Sequence, residues 1–230
     1  MTSTSVEALA RETLALCVAG CLPDELPPAL IEDPRGDALF GILVEGLADR
    51  FEPALCDSYA RLFAQAVAQV RPGISASAIL ARYERVRIVR PVTDQPRSVL
   101  VLSRVTLGAD VAVTSVMLAA VKQCFPGADI VFVGPRKNYE LFAGDPRIRH
   151  IELTYRRGSL RERLSLWDEL ERKLADTGAL VIDPDSRLTQ LGLLPVCPDD
   201  RYRLFESRAY GGSSTRTLPE LAAAWVYETF

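Results

Sequence analysis

The feature that most constrains this chain is a change of hydrophobic period after Thr93-Asp-Gln-Pro96. Beyond that point short apolar runs at residues 98–103, 129–134 and 179–183, and a mixed strand-like run at 148–153, alternate with stretches at helical spacing. A run that is apolar at every position suits a strand buried on both faces, the habit of parallel sheets covered by helices. Tyr202-Arg-Leu-Phe-Glu206 fits a fifth strand, and helices are expected at 110–125, 136–142, 159–175 and 218–227. Strands and helices alternating at this spacing imply right-handed βαβ crossovers. Residues 95–230 therefore read as an α/β domain with a Rossmann-like, doubly wound parallel sheet.

Residues 1–94 carry helical spacing and almost no strand pattern. Thr4-Ser-Val-Glu7 fits a capping box, and Val6, Leu9, Ala10, Leu14, Cys17 and Val18 recur along one face. A second helix is expected at 37–51, a third opening at Pro53 and stopping at Pro72-Gly73, and a fourth at 75–87. The region holds thirteen acidic and nine basic residues and no cluster that suggests chemistry. It reads as a small all-α domain for docking, for dimerisation or a partner chain, or for covering a neighbour.

Composition removes several functions. With 27 basic and 30 acidic residues the 230-residue chain has a formal charge of −3, so nothing drives it as a whole toward nucleic acid. A hydrophobic share of 48% is too apolar for disorder. Charged residues interrupt the apolar runs well short of the ~20 residues of a membrane span, and the N-terminus lacks the basic start and apolar stretch of a signal peptide. The expectation is a cytoplasmic protein without a transmembrane segment. The five cysteines form no C-x-x-C pair and read as reduced core residues, and His150 is the only histidine. No metal site and no cofactor are expected. A Ser-His-Asp triad would have to use His150, which reads instead as a half-buried strand residue.

In an open parallel sheet, ligands bind beyond the carboxyl ends of the strands. The loops in question are 103–110, 134–138, 183–187 and 206–216. The first contains Thr106-Leu-Gly108-Ala-Asp110, where Gly108 permits a tight turn or a close backbone approach to a ligand. Asp110, at the expected helix start, is a natural N-cap. No G-x-G occurs anywhere and no Walker A sequence, which disfavours a conventional NAD enzyme or P-loop NTPase. Asp183, Asp185 and Arg187 suggest an aspartate-stabilised turn. Arg147, Arg149, Arg156, Arg157, Arg161 and Arg163 form a basic stretch that reads as a solvated helix face before it reads as a site for an anionic acceptor.

Residues 98–134 resemble the start of glycosyltransferase family 9, the heptosyltransferases of lipopolysaccharide assembly and their relatives. Gly108, Asp110, Val111, Thr114, Leu118, Phe125, Pro126, Ala128 and Ile130 occupy places that match the family's Gly-Asp turn, its following helix and its Phe-Pro-x-Ala-x-Ile entry to the second strand. Ala179-Leu-Val-Ile-Asp183 through Arg187 is similar to the family's Asp-Leu-x-Gly strand end and following arginine. The resemblance covers roughly residues 97–230. It departs in placing Ala109 between the glycine and the aspartate.

That resemblance implies the N-terminal, acceptor-side half of a GT-B glycosyltransferase, metal-independent, with a nucleotide-sugar domain that these residues do not include. Truncation or loss of that half are the two expectations, and the alternative is a non-catalytic Rossmann-like binding or scaffold module. Asp110 is implied as general base for the acceptor hydroxyl. Arg104, Thr106, Gly108, Thr114, Arg187, Gly211 and Gly212 are the implied substrate-binding residues. The implied partner is a sugar or glycan acceptor of the lipopolysaccharide type, which would bring peripheral contact with a membrane. A nucleotide sugar is implied only with the second domain.

Overall fold

The computed structural model describes residues 3–175, 177–210 and 214–230, without the side chains of Ser3 and Thr4. The Thr4 capping box and the Gly211-Gly212 loop therefore lie outside the described residues. The chain forms two compact units, one of residues 1–81, 156–165 and 208–214, the other of residues 82–155, 166–207 and 215–230.

The first unit is helical. Its elements are α1 (Ser3–Val18), α2 (Pro28–Ile31), α3 (Asp37–Val44 continued by Glu45–Ala48), α4 (Pro53–Val70) and the start of α5 (Ala76–Val86). Pro28 and Pro53 open α2 and α4, where a missing N–H costs nothing. The first eight residues of α3 are wound as a π-helix, and α3 stops at Ala48, short of the expected Phe51. Phe51 itself adopts a left-handed φ of 56°, which no helix continues through. Leu39, Phe40, Leu43 and Leu47 of α3 are buried with Leu55, Tyr59, Leu62 and Phe63 of α4. Phe40 and Phe63 meet at 6.4 Å between ring centroids.

The inserted segment corrects the reading of the basic stretch as one solvated face. Arg163 is buried, its guanidinium 3.6 Å above the Phe40 ring. Arg71 donates to the Leu164 carbonyl at 3.1 Å. Gly36 has to be glycine: its φ is +69°, and a Cβ there would sit 2.2 Å from the Gly158 oxygen. In the other unit Arg147 donates to the carbonyls of Lys122 and Pro126, and Arg149 pairs with Asp129 at 3.0 Å. Of the six arginines, Arg147, Arg149 and Arg163 thus serve separate structural purposes, while Arg156, Arg157 and Arg161 are exposed as expected.

The second unit is an α/β fold around five parallel strands, β1 (Ser98–Leu102), β2 (Asp129–Gly134), β3 (Ile148–Glu152), β4 (Leu180–Asp183) and β5 (Tyr202–Leu204). Their order is β3-β2-β1-β4-β5, so β1 lies between β2 and β4 and the winding reverses at β1. Leu100 is in register with Val131 and with Val181. Helices α6 (Leu107–Cys124), α7 (Arg136–Tyr139), α8 (Leu160–Leu174) and α9 (Leu218–Thr229) occupy the expected places within a few residues. Val99, Val101, Ile130, Phe132 and Ile182 bury one sheet face with Val113, Met117 and Val121 of α6 and Trp225 of α9. The alternate residues Leu100, Leu102, Val131, Val133 and Val181 are buried too, as apolar runs without alternation require.

One helix start differs from expectation. Helix α6 begins at Leu107 behind an extended Thr106, so Asp110 lies inside the helix and is not its N-cap. Helix α9 starts at the expected Leu218 and carries a full capping box, Thr217 with Glu220. By length and composition Leu107–Cys124 could cross a membrane, whereas no such span is expected from the sequence; in the fold its Val113, Met117, Leu118 and Val121 are core residues.

Candidate functional site at the carboxyl edge of the sheet

A parallel sheet opens a crevice where its strand order reverses, here at the carboxyl ends of β1 and β4. Among the described residues, four of the five non-glycine residues with positive φ lie in the two loops that leave those ends: Val105 at 76°, Asp185 at 67°, Gln190 at 50° and Leu191 at 62°. For a β-branched valine such a φ is an outlier that costs on the order of 1–3 kcal/mol, and strain of this kind persists only where the surroundings hold it. The surroundings are a buried polar network.

At the β1 end the centre of the network is Asp110, which is fully buried. Its Oδ1 accepts hydrogen bonds from the Arg104 backbone N–H at 2.7 Å and the Thr114 hydroxyl at 2.6 Å. Its Oδ2 accepts from the Ser103 hydroxyl and the Asn138 amide, each at 2.6 Å. The π-helical turn Asp110–Thr114 is what places these residues, four apart, in one pocket of donors. Ser103 Oγ also accepts the Val105 N–H at 2.8 Å, so the same carboxylate holds the strained valine through one intermediary. Gly134 makes room for this: a Cβ there would meet the Ser103 Cβ at 2.4 Å.

At the β4 end Asp183 is equally buried. It accepts the Ser186 N–H at 2.6 Å, forming the aspartate turn suggested by the sequence, and the hydroxyls of Thr189 and Tyr202 at 2.5 Å each. Burial pushes its pKa up to about 6, against the pull of these donors and with a smaller push from neighbouring Asp185. Asp185 accepts the Ser207 hydroxyl, and Ser207 accepts from Arg104 Nη1 at 3.2 Å. Ser186 Oγ donates to the Ser103 carbonyl and ties the two loops together. Beyond β5, Glu206 accepts from Tyr83 at 2.6 Å and Arg87 at 2.8 Å; burial raises its pKa, and burial with Glu206 raises that of Tyr83.

The structure thus gathers Arg104, Asp110 and Thr114 into one network. Thr106 is exposed at the mouth of the β1 loop, and its side chain caps nothing in α6. Gly108 is exposed within the first turn of α6, with open space where a Cβ would stand, so no tight turn requires it; the left-handed residue of the loop is Val105. Arg187 is half-buried and its carbonyl accepts from Gln190. Gly211 and Gly212 lie outside the described residues. Sequence reasoning missed Ser103, Asn138, Ser186, Thr189, Tyr202, Glu206 and Ser207, which come from five separate segments and carry no motif. His150 is a strand residue, stacked 4.3 Å from Tyr139 and bonded to the Gly134 carbonyl, with no serine–aspartate pair. Among the described residues no group of three or more His, Cys, Asp or Glu is placed to hold a metal ion.

Chemically, this edge offers Asp110 and Asp183 buried among neutral donors, Glu206 paired with Arg87, and the Arg104 guanidinium next to Ser207 and 4.0 Å from Asp185. It is a preorganised polar platform in which no carboxylate oxygen of Asp110 reaches solvent. Compared with known protein families, curated proteins and solved structures, the chain matches none.

Proposed function

We propose that the α/β unit is the acceptor-side domain of a glycosyltransferase of the family 9 type, holding a sugar or glycan hydroxyl at the carboxyl edge between β1 and β4. Transfer from a nucleotide sugar would need a second domain. The observation that carries the reading is Asp110, the aspartate of the family-like turn, seated under the end of β1 beside the reversal of strand order.

In this reading Asp110 acts first as a positioning residue. Its four donors fix Ser103, Arg104 and Asn138, and through them the loop that would meet the acceptor. Service as general base requires that it exchange one of those donors for the acceptor hydroxyl, since a base must lie within hydrogen-bond reach of the proton it takes. The saturation of Asp110 favours a second reading, a Rossmann-like binding module that presents a ligand without transferring anything.

The test is a titration of the 230-residue chain with sugar acceptors and with nucleotide sugars, read by thermal shift and calorimetry. Acceptor binding without donor binding supports the acceptor-side domain. Binding of nucleotide by this chain alone points instead to a small-nucleotide-binding domain, and binding of neither removes the proposal. With a donor domain supplied, loss of kcat with KM unchanged in Asp110→Asn would assign the base role, whereas a rise in KM would assign positioning.

A further inference from the structure

The opposite, amino edge of the same sheet holds two adjoining hollows that the proposed function does not use. One, of about 450 Å³, opens between the segments that enter β1, β4 and β5 and is lined by Thr93, Asp94, Asp200, Arg201 and Arg203. The other, of about 510 Å³, is lined by Leu174, Ala175, Pro195, Val196 and Pro198, with Glu171, Thr177 and Cys197 among its remaining residues. Gly178 and Arg201 border both.

Among the described residues neither guanidinium of the first hollow forms an ion pair with a carboxylate. Arg203 donates to the carbonyls of Asp200 at 2.8 Å, Tyr202 at 3.1 Å and Pro91 at 3.4 Å, and its Nε is buried with no acceptor. Its charge is disfavoured by burial and then by nearby Arg90, which together lower its pKa. Arg201 is exposed, lies 3.5 Å from where a Gly178 Cβ would stand, and forms no ion pair among the described residues. Asp94 and Asp200 share the rim, yet neither comes within ion-pairing distance of either arginine among the described residues. A planar donor fork with no carboxylate on it is the arrangement that accepts a carboxylate or phosphate oxygen. The chamber beside it, walled by leucine, valine, alanine and two prolines, accepts an apolar body.

We infer that these paired hollows bind a small amphipathic organic anion, its carboxylate or phosphate on Arg201 and Arg203 and its apolar part against Leu174, Val196 and Pro198. The site is separate from the carboxyl edge and does not depend on the glycosyltransferase reading.

The experiment is calorimetric titration of the full chain with phenyl phosphate, benzoate and inorganic phosphate at low and high salt. Saturable binding of phenyl phosphate or benzoate is expected, tighter than inorganic phosphate and weakened by salt. Exposed Arg201→Ala should weaken it roughly tenfold, the scale of a lost charge-assisted bond. Ala175→Trp, also at an exposed position, should block the two aromatic ligands and spare inorganic phosphate. Because Arg203 also bonds three carbonyls, Arg203→Ala is read only after its fold is verified by circular dichroism, and Arg201→Ala carries the test if it fails to fold. Absence of saturable binding, binding indifferent to Arg201→Ala, or equal affinity for all three ligands would overturn the inference.

Discussion

The carboxyl and amino edges of this one sheet are built by opposite means. At the carboxyl edge Asp110 and Asp183 are withdrawn from solvent, each accepts bonds from neutral donors, and the loops around them carry left-handed residues. At the amino edge Arg201 and Arg203 face open hollows beside Asp94 and Asp200, Arg203 bonded to backbone carbonyls and Arg201 in no ion pair among the described residues. The contrast separates two ways of using charge. A buried carboxylate that satisfies several donors specifies a loop conformation, because each donor left without it costs the full desolvation of a polar group. An exposed guanidinium such as that of Arg201 contributes little to the fold and remains available to a ligand.

The sharpest way to break this comparison is Asp110→Ala. It strands four donors in a buried site, and a loss of about 3–5 kcal/mol is expected from the usual penalty for a broken buried network. Urea unfolding measures it, and a loss below 1 kcal/mol would show that the network does not hold the loop. Gly134→Ala tests the same loop from the other side. Its Cβ would press on Ser103 at 2.4 Å, with a cost of roughly 1–3 kcal/mol typical of overpacking.

Asp183 adds a pH dependence. Its folded pKa of about 6 lies above its unfolded value, so its contribution is fully present below the unfolded pKa and is lost as pH rises through 6. Two pKa units correspond to at most about 3 kcal/mol. Asp183→Asn should therefore flatten the stability profile between pH 4 and 7, and parallel profiles for the two proteins would discount the carboxyl group. Glu206, also raised by burial, pushes in the same direction and keeps some slope in the variant.

The smallest effects mark where structure asks for nothing. Arg201→Ala, at the open amino edge, should leave stability within about 0.5 kcal/mol of the parent. Gly108→Ala should stabilise slightly, by up to about 1 kcal/mol, since the position is helical and its Cβ would meet no atom of the chain. A clear destabilisation by Gly108→Ala would mean that the glycine serves the first turn of α6 after all.

By itself the sequence determined what local chemistry can determine. Unalternating apolar runs made β1, β2 and β4 recognisable because a strand buried on both faces is apolar nearly throughout, whereas the edge strand β3 carries Arg149, His150 and Glu152. Pro53, Pro72-Gly73 and Pro126-Gly127 marked helix boundaries because proline and glycine act on their own backbone. The turn expected at Gly108 was not formed there: the left-handed residue is Val105, and Gly108 and Asp110 lie inside α6. Tertiary structure alone decided that β4 lies beside β1, which makes their ends a crevice. It also decided that α6 starts at Leu107 and widens into a π-turn, so that the expected cap became a buried acceptor. Asn138, 28 residues from Asp110, and Ser186, 83 residues from Ser103, bond across the site. Such bonds depend on which strands become neighbours, a global outcome of packing that no local period encodes.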